Sequence, residues 1–344
     1  MIPMLAKLKE EMDKGLFIPL PMLRNLGGAV GALAFVMAKH PRAAMANIPG
    51  WMARLRQSKP PWGHLDDESK YDSRQLLSPE DYENLPPVRT EKYLRPTRLC
   101  ESDAPEIRAM AIKLGAGLKS DLAFTRAVYE FVKNEKKLVF KPMRGALGTF
   151  RSKGGVCLDQ LSLMAALLRA GGVSARYRLY ALAPSQQFYD TVLRDDLLLS
   201  ETLEMLGFLD SLHGETEALV DGKWIPLDST FSDELEAGMG LPITSFGEEP
   251  TWRDRVMTSD IRFEGFPLLF RHLLVPVLFA LRTTVDVVNE KLDMLRAQGL
   301  ETIDRLGREG YNKQQKSTQI ELPSLEEVEA FRNGNKITVD AEAV

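Results

Sequence analysis

The 344-residue chain has two cysteines and four histidines, and one of each stands where nucleophilic chemistry could occur. Cys157 follows Lys153-Gly154-Gly155-Val156 and precedes LDQLSLMAALLRA (158–170), a run apolar nearly all round that reads as a buried helix. The thiol therefore sits at a helix N-terminus, where the macrodipole and the free backbone N–H groups favour the thiolate. A cysteine beside an apolar helix is ordinarily a small buried hydrophobe. The glycine pair sets Cys157 apart, because it lets the backbone pass close to a substrate or a neighbouring strand. With only Cys100 as a second thiol, no disulfide framework holds this fold. A Cys100–Cys157 bridge is disfavoured, since so few thiols suit a reducing compartment.

A thiolate nucleophile needs a base. His40 adjoins Pro41 and reads as a helix-end cation; His64 lies in an irregular stretch; His272 sits in an apolar segment and reads as a partly buried structural residue. His213 opens a hairpin, Thr216–Val220 and Trp224–Leu227 about the Asp221-Gly222 turn. A two-residue turn pairs Val220 with Lys223 and sets Glu215 opposite Asp228. Side chains alternate with period two, so His213 shares a face with Glu215 and is the diagonal neighbour of Asp228, roughly 7–8 Å away at the backbone. Asp228 would then orient the imidazole and leave its other nitrogen for Cys157. A three-residue loop without a bulge would separate the two. Taken alone, Asp228 reads equally as a strand-end cap.

The elements that must position these residues follow from periodicity and punctuation. Residues 1–50 read as a helical extension broken at Pro41 and Pro49-Gly50, and 51–92 as an irregular, Pro- and Asp-rich linker. Asp103-Ala-Pro-Glu106 reads as a helix start with Asp103 as N-cap. A second helix begins near Asp121. Gly171-Gly172 ends the helix after Cys157, and Ala175–Leu182 reads as a strand. Residues 184–212 form an insertion with a helix around Leu197–Leu209, placed to act as a lid or to cap the sheet edge. Residues 236–310 read as a mainly helical extension, and 311–344 as a polar tail.

GGVCLDQLSLMAALLRAGGVSARYRLYAL resembles the nucleophile helix and following strand of transglutaminase-like proteins, and HGETEALVDGKWIPLDST resembles their His strand, hairpin and Asp strand. The resemblance covers roughly 93–235. It implies an α+β, papain-like core, with the nucleophile helix packed on an antiparallel sheet between mainly helical extensions. It also implies thiol chemistry on acyl groups: Cys157 attacks a carbonyl, His213 shuttles the proton and Asp228 orients His213, with no cofactor and no metal. The substrate would be a protein, a peptide or a small amide. An acyltransferase of the arylamine N-acetyltransferase type shares the order Cys, His, Asp, and a non-catalytic scaffold could retain it. One departure is Glu215, where the family often has an aromatic residue. It reads either as a solvated edge residue or as a group favouring a cationic substrate. The Cys157 N–H is the expected oxyanion donor, with Gln160 and Ser162 nearby.

Composition narrows the partners. The net charge is −4, and no block of like charge points to nucleic acid. Met1–Gly15 does not read as a secretory signal, and the chain reads as cytoplasmic. Two apolar segments, 26–38 and 266–281, fall short of the ~20 residues that cross a bilayer. They are expected to cover one another. The alternative is a peripheral membrane contact or an oligomer contact through them.

Overall fold

Pro41 starts a helix as well as ending one. The computed structural model describes residues 20–56, 62, 69–206, 209–266, 270–273 and 275–316. Its N-terminal part forms α1 (Leu20–Lys39), α2 (Pro41–Met45) and α3 (Ile48–Leu55). Pro49-Gly50, expected to break the pattern, lie in the first turn of α3, where proline forfeits no hydrogen bond. The helix therefore runs past the expected boundary at residue 50. The expectations for residues 1–19, for His64 and for most of the tail lie outside the described residues.

Two helices lead into the core, α4 (Pro105–Leu114) and α5 (Asp121–Glu135). The N-cap of α4 is Ala104, not Asp103, with Pro105 in the first turn. Ser120 caps α5 by accepting from the Ala123 N–H at 3.3 Å. The chain then makes a two-residue strand β1 (Lys137–Leu138), helix α6 (Gly145–Phe150), strand β2 (Gly154–Gly155) and helix α7 (Cys157–Ala170). β1 and β2 pair in parallel, and the glycine pair makes that pairing sterically allowed. A Cβ on Gly154 would lie 1.9 Å from the Lys137 carbonyl oxygen, and one on Gly155 2.3 Å from Asp159 Oδ2. The close neighbour is thus a strand and a side chain of the protein itself. Every residue of α7 after Cys157 is buried. It packs on α4, α5, α6 and the main sheet, and each of its buried leucines contributes roughly 1.5–3 kcal/mol.

The main sheet contains β3 (Ala175–Pro184), β4 (Leu209–Val220), β5 (Lys223–Leu227) and β6 (Arg253–Phe263), all antiparallel, in the order β5-β4-β3-β6. Asp221 (φ 49°) and Gly222 (φ 75°) both adopt positive φ, as a type I′ turn requires. The register is Val220 to Lys223 through Thr216 to Leu227. Two expectations change. His213 lies inside β4 rather than at a hairpin's opening, because that strand begins at Leu209. The segment after 235 is not simply helical: β6 completes the core sheet beside β3, so the core extends well beyond residue 235.

The insertion helix α8 (Leu197–Leu206) stops before Leu209. After α9 (Asp233–Gly238) and β6, the described residues continue through α10 (Phe270–Leu273), α11 (Val275–Ala280), α12 (Arg282–Leu306) and α13 (Arg308–Asn312). Leu198 of α8 packs with Leu33 and Val36 of α1, with Leu281, and with Val285 of α12, while Val277 and Leu278 lie partly buried alongside. The two apolar segments thus meet through one face of α1. Phe266 and Phe270 instead enter the main core, stacked at 4.7 Å. His272 is exposed, contrary to its expected partial burial.

Candidate active site

Local sequence puts Cys157 at the first position of α7, capped by Val156, and leaves it half-buried. Cys100 is fully buried, and neither cysteine is in a disulfide. The I′ hairpin places His213 and Asp228 as alternation requires: His213 Nε2 lies 2.8 Å from Asp228 Oδ2. His213 also hydrogen-bonds the Cys157 side chain. Since Nε2 meets the carboxylate, Nδ1 is the nitrogen left for sulfur. The structure thus brings together the three residues singled out in the sequence, in the order thiol, imidazole, carboxylate.

The surroundings hold this arrangement from all sides. Asp228 Oδ1 accepts from Thr230 Oγ1 (2.7 Å) and the Thr230 N–H (3.1 Å). Oδ2 accepts from Arg253 Nη2 (3.0 Å) and Nε (3.1 Å) besides His213. Burial disfavours the carboxylate, but His213 and Arg253 overcome it and hold the Asp228 pKa far below the usual range. Burial likewise lowers the His213 pKa, but the Asp228 charge and the bonds to Asp228 and Cys157 prevail and push it up to about 9. The imidazole is gripped edge-on between Tyr180 (5.2 Å) and Trp252 (5.0 Å).

Glu215 differs from both readings offered above. It is 1% exposed, so it is no solvated edge. Its carboxylate meets Arg255 Nη2 (2.7 Å), Arg178 Nη1 (3.0 Å) and Arg253 Nη2 (3.2 Å). Arginines of the protein already neutralise it, which removes the basis for a cationic substrate. Tyr180 Oη lies 3.3 Å from both Glu215 Oε2 and Asp228 Oδ2, and its single hydrogen can serve one at a time. Burial, then the Asp228 charge, keep this phenol protonated by raising its pKa well above the ordinary value.

Gln160 and Ser162 are engaged elsewhere. The Gln160 amide bridges the Ser229 carbonyl (2.5 Å) and the Leu138 N–H (3.1 Å). Ser162 Oγ donates to the Leu158 carbonyl at 2.8 Å. Asp159 Oδ1 accepts from the N–H groups of Arg144 (2.9 Å) and Gly145 (3.0 Å), tying the start of α6 to the first turn of α7; burial raises its pKa to about 6. No group of three or more His, Cys, Asp or Glu among the described residues is arranged to hold a metal ion.

Sequence reasoning missed Tyr180, Trp252, Arg253 and Thr230. No local pattern marks Arg253: the alternation Arg253-Asp-Arg255 becomes informative only once Glu215 and Asp228 face it across the sheet.

Three comparisons bear on this arrangement. The model of the Transglutaminase-like superfamily matches residues 108–229, a stretch that contains Cys157, His213 and Asp228 but stops short of Trp252 and Arg253. No curated protein matches the sequence at a significant level. Among solved structures, "a Putative Cysteine Protease from Cytophaga hutchinsonii" is similar at 20% identity and a TM-score of 0.32, over 56% of this chain and 57% of that one. The likeness thus spans little more than half of that protein's length. The fold around the thiol is α+β, a buried helix starting at Cys157 and packed on an antiparallel sheet, and over residues 108–229 the chain is similar to the Transglutaminase-like superfamily.

Proposed function

We propose that this chain is a thiol enzyme that acts on an amide or peptide bond through an acyl-enzyme. The observation that carries the reading is the hydrogen-bonded sequence Cys157–His213–Asp228 at a helix start. Cys157 Sγ attacks the carbonyl carbon, and the thiol proton resides on His213 Nδ1. The carbonyl π electrons move to oxygen, and the Cys157 N–H at the start of α7 stabilises the oxyanion. Collapse of the intermediate breaks the C–N bond, and His213 gives its proton to the departing amine. A thioester on Cys157 remains. Water or a second amine then attacks it, losing a proton to His213 and restoring the thiol. Water makes the enzyme a protease or amidase; an amine makes it a transamidase. Asp228 fixes the imidazole, and Arg253 with Thr230 fixes Asp228.

An acyl-donor probe with a good leaving group, followed by intact-mass analysis, tests this. A single acyl adduct is expected on Cys157, absent in Cys157→Ala. Full labelling of Cys157→Ala, with Cys100→Ser also in place, would sink the assignment. Added amine nucleophiles then separate acyl transfer from hydrolysis by the product released.

A further inference from the structure

Among the described residues, the outward side of the N-terminal helices is apolar and uncovered. Residues 26–38 contain no polar side chain. Ala32, Leu33 and Val36 turn inward and are buried, but the opposite side of α1 shows Leu23, Val30, Ala34, Ala38 and Phe35, the last 61% exposed. The pattern continues after Pro41. Met45, Ile48, Met52 and Leu55 recur at spacings of three, four and three, so they fall on one stripe. All four are exposed, Leu55 by 63%. The other side of this segment is fixed to the body: Asn47 Oδ1 accepts the N–H groups of Thr283 (2.8 Å) and Thr284 (3.0 Å) at the start of α12.

Charge identifies what this side meets. Residues 14–65 hold seven lysines and arginines and no aspartate or glutamate, in a chain whose net charge is −4. Arg24, Arg42 and Arg56 are exposed around the apolar surface. Lys39 is engaged with Glu201 at 2.8 Å. A second copy of the same face would set these cations against their own kind. No single helix among the described residues is long and apolar enough to cross a bilayer. An apolar helix side rimmed by cations suits the headgroup boundary of an anionic bilayer, where the apolar groups enter the lipid and the arginines meet its negative potential. We infer that the outward face of α1, α2 and α3 docks in plane on an anionic membrane surface.

Vesicle flotation of the full chain tests this. Phosphatidylcholine vesicles containing phosphatidylserine should carry the protein, vesicles of phosphatidylcholine alone should carry far less, and added salt should release it. Arg24→Gln and Arg42→Gln should each weaken binding about fivefold. Phe35→Asp should weaken it at least roughly tenfold. These side chains face outward, so circular dichroism should match the parent. Absence of binding by the folded parent overturns the inference, as does salt-insensitive binding to both kinds of vesicle. So does self-association in sedimentation that Phe35→Asp abolishes, because it would assign the face to a second copy.

Discussion

The two sides of β3 and β4 are built on opposite principles. Tyr177, Leu179, Gly214, Thr216 and Ala218 turn toward α7, where Thr216 Oγ1 donates to the Leu161 carbonyl at 2.9 Å. One residue out of step, Arg176, Arg178, Tyr180, His213, Glu215 and Glu217 share the other side. There, ion pairs run from Arg176–Glu217–Arg262 through Arg178–Glu215–Arg255 to Arg253–Asp228–His213. The apolar side derives its stability from area and tolerates changes of similar volume. The charged side stands only while each charge keeps its partner, because an orphaned buried charge is far more expensive than a lost contact. The candidate chemistry sits at the end of the second lattice.

The strongest way to break this contrast is at Asp228. Asp228→Asn keeps the shape but offers the imidazole an amide, and the acyl-enzyme should form on the order of 10⁴-fold more slowly. Glu215→Gln should slow it much less, since Glu215 meets Arg178, Arg253 and Arg255 while Asp228 meets the imidazole itself. A larger loss of rate for Glu215→Gln would show that the lattice, rather than the Asp228 contact, sets reactivity.

Arg253 carries the next largest effect. Arg253→Met leaves Asp228 and Glu215 without the guanidinium that joins them, and should destabilise the fold by about 3–5 kcal/mol in urea titrations. Loss of a nearby positive charge should also raise the His213 pKa, read by ¹⁵N imidazole resonances assigned with His213→Ala. An unchanged imidazole titration would confine Arg253 to a structural role.

The pH dependence of stability is the smallest of the three effects. The His213 pKa is raised to about 9 from an ordinary 6.5. Its contribution is therefore fully present below about pH 6.5 and is lost as pH rises through 9, a change on the order of 3 kcal/mol. Thermal midpoints should fall over that window, and the fall should flatten in His213→Ala. An equal decline in both proteins would place the titration elsewhere.

The legible parts of this molecule were those written in local code. Asp221-Gly222 dictates a I′ turn, the turn dictates the register, and the register brings His213 to Asp228. Gly154-Gly155 marks the close approach of a strand. β6 was illegible for a physical reason. RDRVMTSDIRF has no clean apolar alternation, and Arg253 is buried only because Glu215 and Asp228 wait across the sheet to meet it. Charge burial by pairing is a property of the assembled sheet, so neither Glu215 nor Arg253 reveals it alone. The course of α3 through Pro49-Gly50 was hidden because proline in a first turn starts a helix as readily as it ends one, and with Pro105 as the first helical residue the N-cap falls on Ala104 rather than Asp103.

The edge-on contact of Trp252 with His213, 5.0 Å between ring centres, gives the molecule an optical consequence. A protonated imidazole against an indole quenches its emission, whereas a neutral one does so weakly. The charge on His213 is thereby written into the fluorescence of a neighbouring residue, and its gain or loss of a proton becomes visible as light without any label.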